Sequence, residues 1–184
     1  MNNFIVETGS GLSNANSFIT VAFAKEYWLA RGRSVVTPTP YTDTVIQEAL
    51  VRGTQYISES HRWKGFRRRQ RHSTEGFQAL EWPREDVLDR EGNWVPSYEV
   101  PREVKQATAE AGWYELQNPH GLQPSYISHG RIKSQMVGNL KIEYDVSRKD
   151  ASGARPVLLI IRDLIGEFLN PAYSNRLSGR AVRG

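Results

Sequence analysis

Between Val45 and Ile57 the apolar residues recur at spacings of three and four, the pattern of one buried helix face. The members of this stripe are Val45, Ile46, Ala49, Leu50, Gly53, Tyr56 and Ile57. A helix of this kind gains most of its stability from packing, so it must lie against other elements. Thr42 or Asp43 is placed to cap its start, and we expect the helix to end near Ser60.

Three further segments predict helices that pack with this stripe. Thr20 can cap a helix over about residues 21–31, with Gly32 following its last turn. Pro101 suits the first turn of a helix that runs to about Gln117. Pro156 opens a final apolar helix that continues through residues 157–169 and ends before Pro171, which cannot extend it.

Residues 132–146 predict a β-hairpin with its turn at residues 138–139. Its alternating apolar side chains are Ile132, Met136, Leu140, Ile142 and Tyr144. The sequence offers this hairpin no further strand, and a lone two-stranded hairpin is marginally stable in water. We therefore expect these five residues to lie at a contact with another subunit or with another protein of the assembly.

Together these elements predict a mainly α protein: a bundle of about four helices with one β-hairpin and extended N- and C-terminal arms. A chain of 184 residues has room for one domain. We place an N-terminal arm at residues 1–19, the helical domain at residues 20–170 and a basic tail at residues 171–184. Three tryptophans in helical or proline-bounded contexts are the predicted core anchors: Trp28, Trp82 and Trp113.

Positive charge is concentrated in two places. Six basic residues and no acid lie between His61 and His72, namely Arg62, Lys64, Arg67, Arg68, Arg69 and Arg71. We call residues 62–71 the basic segment. The tail adds Arg176, Arg180 and Arg183, again without an acid. Without these nine residues the 24 Lys and Arg fall to 15 against 20 Asp and Glu, a net charge of −5. The basic segment indicates a polyanion or an acidic protein surface, or else a solvated loop.

Signals of catalysis are missing from the sequence. The chain has no cysteine, which excludes disulfides, thiolate metal sites and cysteine nucleophiles. The four histidines lack the helical spacing of a metalloprotease site, and no phosphate-binding glycine motif occurs. We expect no catalytic residue, no metal and no cofactor, and hence no enzyme. No run approaches the roughly 18 apolar residues of a membrane span, so we expect no membrane partner.

Several motifs recur in an order typical of a known family. They lie at residues 6–18, 30–32, 49–57, 62–65, 78–84, 89–92, 100–107, 132–138 and 142–144. In this order they resemble a family of tailed-phage proteins labelled "putative DnaT-like single-stranded-DNA-binding". That family looks like the head–tail adaptor (head-completion or connector) proteins of long-tailed phages. The resemblance covers about residues 4–146 and the apolar segment near 156–169.

The resemblance implies a structural role in the virion. Such adaptors form a homo-oligomeric ring, usually a dodecamer, under the portal protein. The ring joins the portal to the next neck or tail-terminator protein, and genomic double-stranded DNA passes through its lumen with weak, non-specific contacts. It implies no catalytic residue and no cofactor. We therefore expect a head–tail connector subunit, assembled in the host cytoplasm and located in the virion at the head–tail interface.

The alternative is a DnaT-like single-stranded-DNA-binding replication protein. Such a protein would hold single strands by stacking bases on Trp63 and Phe66 within the basic segment. The other tryptophans lie in packing contexts rather than along a basic groove, which favours the adaptor.

Overall fold

The computed structural model describes residues 4–35, 41–68, 77–123, 134–137, 140–143 and 157–170. Within them four α-helices occur: α1 (Val21–Leu29), α2 (Asp43–Ser60), α3 (Arg102–Gln117) and α4 (Leu159–Ile165), followed by a 3₁₀ turn at Gly166–Phe168. The strands are β1 (Phe66–Arg67), β2 (Arg84–Glu85), β3 (Ser134–Val137), β4 (Leu140–Glu143) and β5 (Val157–Leu158). The prediction of a mainly α fold with about four helices and a hairpin is confirmed.

Threonine side chains start the first two helices, as the sequence predicts. The Thr20 hydroxyl accepts a bond from the Phe23 N–H (3.1 Å), and the Thr42 hydroxyl accepts one from the Val45 N–H (3.4 Å). Helix α1 ends at Leu29, two residues before the predicted end, and the positive φ of Gly32 (+69°) turns the chain away.

Helices α2 and α3 form the centre of the fold, and they approach closely where glycines face each other. A Cβ built on Gly53 would lie 2.9 Å from the backbone nitrogen of Gly112, and one on Gly112 would lie 2.7 Å from Leu50 Cδ2. The predicted stripe of α2 is buried except at Val45, whose side chain is 39% exposed. The prediction that Val45 faces inward was wrong; this residue lies in the first turn of α2, where its side chain reaches solvent.

Two buried carboxylates on α3, those of Glu110 and Glu115, bind groups from other parts of the chain and hold them against α2 and α3. Glu110 accepts bonds from the Tyr27 hydroxyl (3.0 Å) and the Arg33 guanidinium (2.7 Å). Burial raises the pKa of Tyr27, and the nearby negative charge of Glu110 raises it further. Glu115 pairs with Arg52 (2.7 Å) and accepts the backbone N–H of residue 120 (2.6 Å), so the chain beyond α3 is held too. Each buried charge is thus compensated by an opposite charge and by hydrogen bonds.

Residues 4–19, the described part of the predicted arm, pack against the helices. The buried Glu7 carboxylate accepts backbone N–H groups of Gly9 (2.8 Å), Gly11 (2.9 Å) and Leu12 (2.8 Å). Phe18 is buried in the core beside α2, where its N–H bonds to the Thr54 hydroxyl (3.3 Å). The turn-forming residues of this segment therefore form a loop that packs against the helices.

The hairpin has a partner strand within the chain. β4 pairs with β3 on one side and with β5 on the other, through Ile142 opposite Leu158 and Glu143 opposite Val157. The expectation that no further strand exists was therefore wrong. Ile132 and Tyr144 lie outside the described residues, as do the side chains of Met136, Leu140 and Ile142.

The pairing of β4 with β5 also shows that the predicted start of the final helix was wrong. Val157 and Leu158 form β5 instead of a first helical turn, and α4 begins at Leu159. An apolar run with a β-branched residue suits either state, and the free edge of β4 decides in favour of a strand.

We predict that Gly53→Ala lowers the free energy of unfolding by about 1–3 kcal/mol, because its methyl group would overlap the backbone of α3. Alanine's higher helix propensity, about 1 kcal/mol, works in the opposite direction. Urea unfolding measures the difference. Gly166→Ala is the matched control, since its Cβ meets nothing within 4 Å and its φ is −56°. A Gly53→Ala protein as stable as the control would contradict this account of the contact.

Candidate nucleic-acid interface

A cluster of three aromatic rings fixes the start of the basic segment; we call Trp63, Trp82 and Phe168 the aromatic cluster. The Trp63 and Trp82 rings meet edge to face at 5.6 Å, and Trp82 meets Phe168 at 5.4 Å. Edge-to-face pairs at this distance add to the burial free energy of the rings. The cluster thereby joins the basic segment, the loop before Pro83 and the turn after α4.

Burial of Trp63 removes it as a base-stacking platform. Its side chain is only 7% exposed, and its ring also contacts His61 at 6.0 Å. The expectation that bases stack on Trp63 was wrong in this respect. The neighbouring Phe66 is 57% exposed and is the aromatic side chain that the segment presents to solvent. Sequence spacing could not separate the two, because the residues after α2 follow neither a helical nor a strand period.

Of the three predicted core anchors, Trp28 and Trp113 pack together between α1 and α3, and Trp82 belongs to the aromatic cluster. Trp28 and Trp82 are fully buried, and the Trp28 indole N–H donates to the Ala109 carbonyl of α3 (2.8 Å). Trp113 is partly buried and packs against Trp28 with ring centres 5.4 Å apart.

Three basic side chains of the segment also contact the protein itself. The Lys64 ammonium donates to the Glu167 carbonyl (2.6 Å), and the Arg68 guanidinium donates to the Gly9 carbonyl (3.0 Å). Neither side chain forms an ion pair within the described part of the chain, and Lys64 also lines a recess together with Asp89, Asp163 and Glu167. Arg67 forms an ion pair with Glu81, whose carboxylate Arg84 shares. Arg62 is exposed, and Arg69 and Arg71 lie outside the described residues.

Arg84 is a buried cation that the sequence analysis missed. Its guanidinium donates to the carbonyls of Lys64 (2.7 Å) and Gly65 (2.8 Å) and to the Glu81 carboxylate (2.5 Å). Burial lowers its pKa, and Glu81 counteracts that effect. Gly65 has a φ of +63°, and a Cβ there would lie 2.0 Å from the Glu85 carbonyl oxygen. Arg84 and Gly65 together determine the path of β1.

Two exposed aromatic side chains border the basic residues in sequence. Phe66 precedes Arg67 and Arg68, and Phe77 follows the segment with 76% of its side chain exposed. In the β1–β2 pair, Phe66 lies opposite Glu85, so one carboxylate adjoins this surface. Exposed aromatic rings beside cations are the elements with which single strands are bound: bases stack, and phosphates are attracted.

A shallow groove of about 520 Å³ runs beside this surface between the end of α2 and residues 79–81. Arg62 and Arg67 line it, together with Glu59 and Glu81. Its two positive and two negative side chains balance, so the groove by itself does not select a phosphate. Within the described ranges, no group of three or more His, Asp or Glu side chains is arranged to hold a metal ion. No described helix is long and apolar enough to cross a membrane.

His61 lies at the junction of α2 and the basic segment. Its Nδ1 is 3.1 Å from the Ile57 carbonyl, which can only accept, so Nδ1 carries the proton. Burial lowers the pKa of His61, and the bond to Ile57 opposes that effect. The unfolded chain therefore binds more protons than the folded one below about pH 6.5, and stability falls as the pH falls through that range.

We predict that His61→Gln weakens this pH dependence. Between about pH 7 and pH 5 the slope of unfolding free energy against pH should decrease by up to about 1.4 kcal/mol per unit, the contribution of one proton. Urea unfolding at several pH values measures the slope. His120→Asn is the control, because His120 is exposed and asparagine tolerates its φ of +62°. Equal slopes for wild type and His61→Gln would show that His61 does not titrate differently on folding.

Comparison with known proteins gives one family. The sequence model of a family described as "Putative DnaT-like ssDNA binding protein" matches residues 2–184. No curated protein and no solved structure matches the chain. The matched description names single-stranded DNA and no role between a phage head and tail.

Proposed function

Because the chain belongs to the family described as putative DnaT-like ssDNA-binding proteins, we propose that it binds single-stranded DNA through the basic segment. The observation that carries this proposal is the exposure of Phe66, whose side chain is 57% exposed and which is followed in the sequence by Arg67 and Arg68. A flat ring accessible to solvent can stack on any base, which suits binding without sequence preference. The family description favours this function over the head–tail connector that the motif order implies.

The electrostatics of the segment fit a phosphate backbone. Arg68 donates to a neutral carbonyl and forms no ion pair within the described residues, and Lys64 and Arg84 are further cations close to it in the chain or the β1–β2 pair. Glu81 offsets one charge of the group. The remaining positive potential attracts phosphates, and bound counterions are released when a strand binds.

The rigidity of the support also favours this function. Trp63 is held in the aromatic cluster and Arg84 holds the carbonyls of residues 64 and 65. Phe66 therefore projects from a fixed backbone, which reduces the entropy lost when a base stacks on it. Binding of this kind needs no catalytic step and no cofactor.

We predict that the protein prefers single- over double-stranded oligonucleotides of equal length, and that Phe66→Ala removes most of this preference. Loss of one stacking contact should weaken single-strand binding by about 1–3 kcal/mol. Fluorescence anisotropy titration at about 0.15 M salt measures both affinities. Leu29→Ala is the matched control, since Leu29 is an apolar side chain on α1 that is 72% exposed. A preference below about tenfold, or one unaffected by Phe66→Ala, would contradict the proposal.

A second candidate is the head–tail connector subunit, which rests on the resemblance of the motifs to phage adaptors. One structural observation favours it: in the described sheet β3 is an edge strand, with β4 on its only paired side. An edge strand can accept a strand from a second copy, which is one way in which a ring subunit can bind its neighbour. The portal protein, the next neck or tail-terminator protein and double-stranded DNA in the lumen would be its partners.

We predict for this candidate that the purified chain forms closed rings and that a label on it appears at the neck of virions. Electron microscopy of both samples provides the measurement. Its DNA contact would be weak and would differ less than about tenfold between single and double strands. A monomer with strong single-strand preference would exclude the connector, and rings without such preference would exclude the first proposal.

A further inference from the structure

A second surface of the fold carries the opposite charge. A cleft of about 720 Å³ opens between the loop of residues 89–96, the start of α3 and the end of α4. Apolar groups of Pro96, Pro101, Leu164 and Phe168 line it, and Trp94 stands at its side with 69% of its side chain exposed. An indole that exposed is unusual, because tryptophan is normally among the most buried residues on average.

Acidic side chains surround these apolar groups. The carboxylates lining the cleft are Asp89, Glu91, Glu99, Glu103, Asp163 and Glu167. Against them stand two guanidinium groups, Arg90 and Arg102, so the lining carries a net charge of −4. None of the ion pairs within the described part of the chain involves these six carboxylates.

The loop that carries Trp94 is held in shape by one of these acids. Asp89 accepts the backbone N–H groups of Asn93 (2.8 Å) and Glu91 (2.9 Å), and these bonds lower the pKa of Asp89. Gly92, with a φ of +86°, completes the turn. These bonds fix the loop that carries both Asp89 and Trp94 before anything binds in the cleft.

The chemistry of the cleft selects its occupant. Its negative charge repels nucleic acid, and its apolar groups would be covered poorly by a free ion. An arginine-rich peptide matches both features, because guanidinium groups pair with carboxylates and stack on indole faces. Such a peptide occurs in this chain: residues 172–184 contain Arg176, Arg180 and Arg183 with Leu177 and Val182, and no acid.

The point where the described chain stops places this peptide within reach. Leu169 lines a recess of about 520 Å³ that shares Asp89, Arg90, Asp163 and Glu167 with the cleft, and Lys64 and Arg162 line the recess as well. The 14 residues from 171 to 184 can span at most about 50 Å when extended, far more than the width of such a cleft. A tethered peptide also acts at a high effective concentration, which favours its own cleft over that of another copy.

We propose that residues 172–184 bind in the acidic cleft of their own chain, with arginine against the carboxylates and the face of Trp94. This contact is independent of the DNA binding proposed above. It keeps three arginines of the tail away from phosphates and covers the exposed indole.

The test uses the full chain, whose lack of cysteine allows a single label. Ser178→Cys is labelled with bimane, a small fluorophore that tryptophan quenches on contact. We expect quenched emission at low salt that is restored by Trp94→Phe and by about 1 M salt. Glu99→Lys combined with Glu103→Lys should weaken docking about tenfold, through loss of two exposed ion pairs. Glu48→Lys, an exposed acid on α2, is the matched control and should change nothing.

A second readout does not depend on the position of the label. Replacing Arg176, Arg180 and Arg183 by serine should uncover Trp94 and so increase the acrylamide quenching of tryptophan fluorescence in the unlabelled chain. Trp28, Trp63 and Trp82 are buried with or without the docked tail, so they do not contribute to the change. Unquenched bimane together with unchanged acrylamide quenching would overturn the proposal. Bimane emission that recovers on dilution, or quenching of a labelled Trp94→Phe chain by added unlabelled wild-type chain, would show docking between copies and would overturn docking within one chain.

Discussion

The contact of α2 with α3 at Gly53 and Gly112 is the constraint on which the rest of the structure depends. At this point the two helices lie so close that a methyl group on Gly53 would overlap backbone. The approach aligns the buried stripe of α2 with the apolar face of α3 and brings Glu110 and Glu115 inside. These carboxylates then bind Tyr27 and Arg33 on one side and Arg52 on the other, so helix separation also determines where the flanking segments lie.

The surface features follow from this interior. Helix α2 ends at Ser60 and delivers His61 and Trp63 into a pocket formed with Trp82 and Phe168. Since Trp63 is held inside, the next residues run along the surface, and Phe66 projects outward. Arg84 stabilises this path from below by donating to backbone carbonyls that have no strand partner of their own. A buried cation therefore supports an exposed basic surface.

The molecule separates its charges into two surfaces. One presents Phe66 beside Arg67 and Arg68, and the other presents Trp94 beside carboxylates such as Glu99 and Glu103. Each combines an exposed aromatic ring with charges of one prevailing sign, so the two attract different partners: a polyanion for the first and an arginine-rich peptide for the second. The net charge of +4 conceals this division.

The sequence by itself determined the features that depend on neighbouring residues. The threonine caps and the period of α2 act within a few positions, and both were predicted; Pro101 marks the start of α3 as predicted, although it lies at the cap and not in the first turn. Tertiary structure alone decided the exposure of Phe66 and Trp94, the burial of Trp63 and Arg84, and the conversion of residues 157–158 into a strand. These depend on distant partners: Trp82 for Trp63, Glu81 for Arg84 and β4 for β5. Local preferences are nearly equal for the alternative states of such residues, so contacts across the fold supply the free energy that selects one of them.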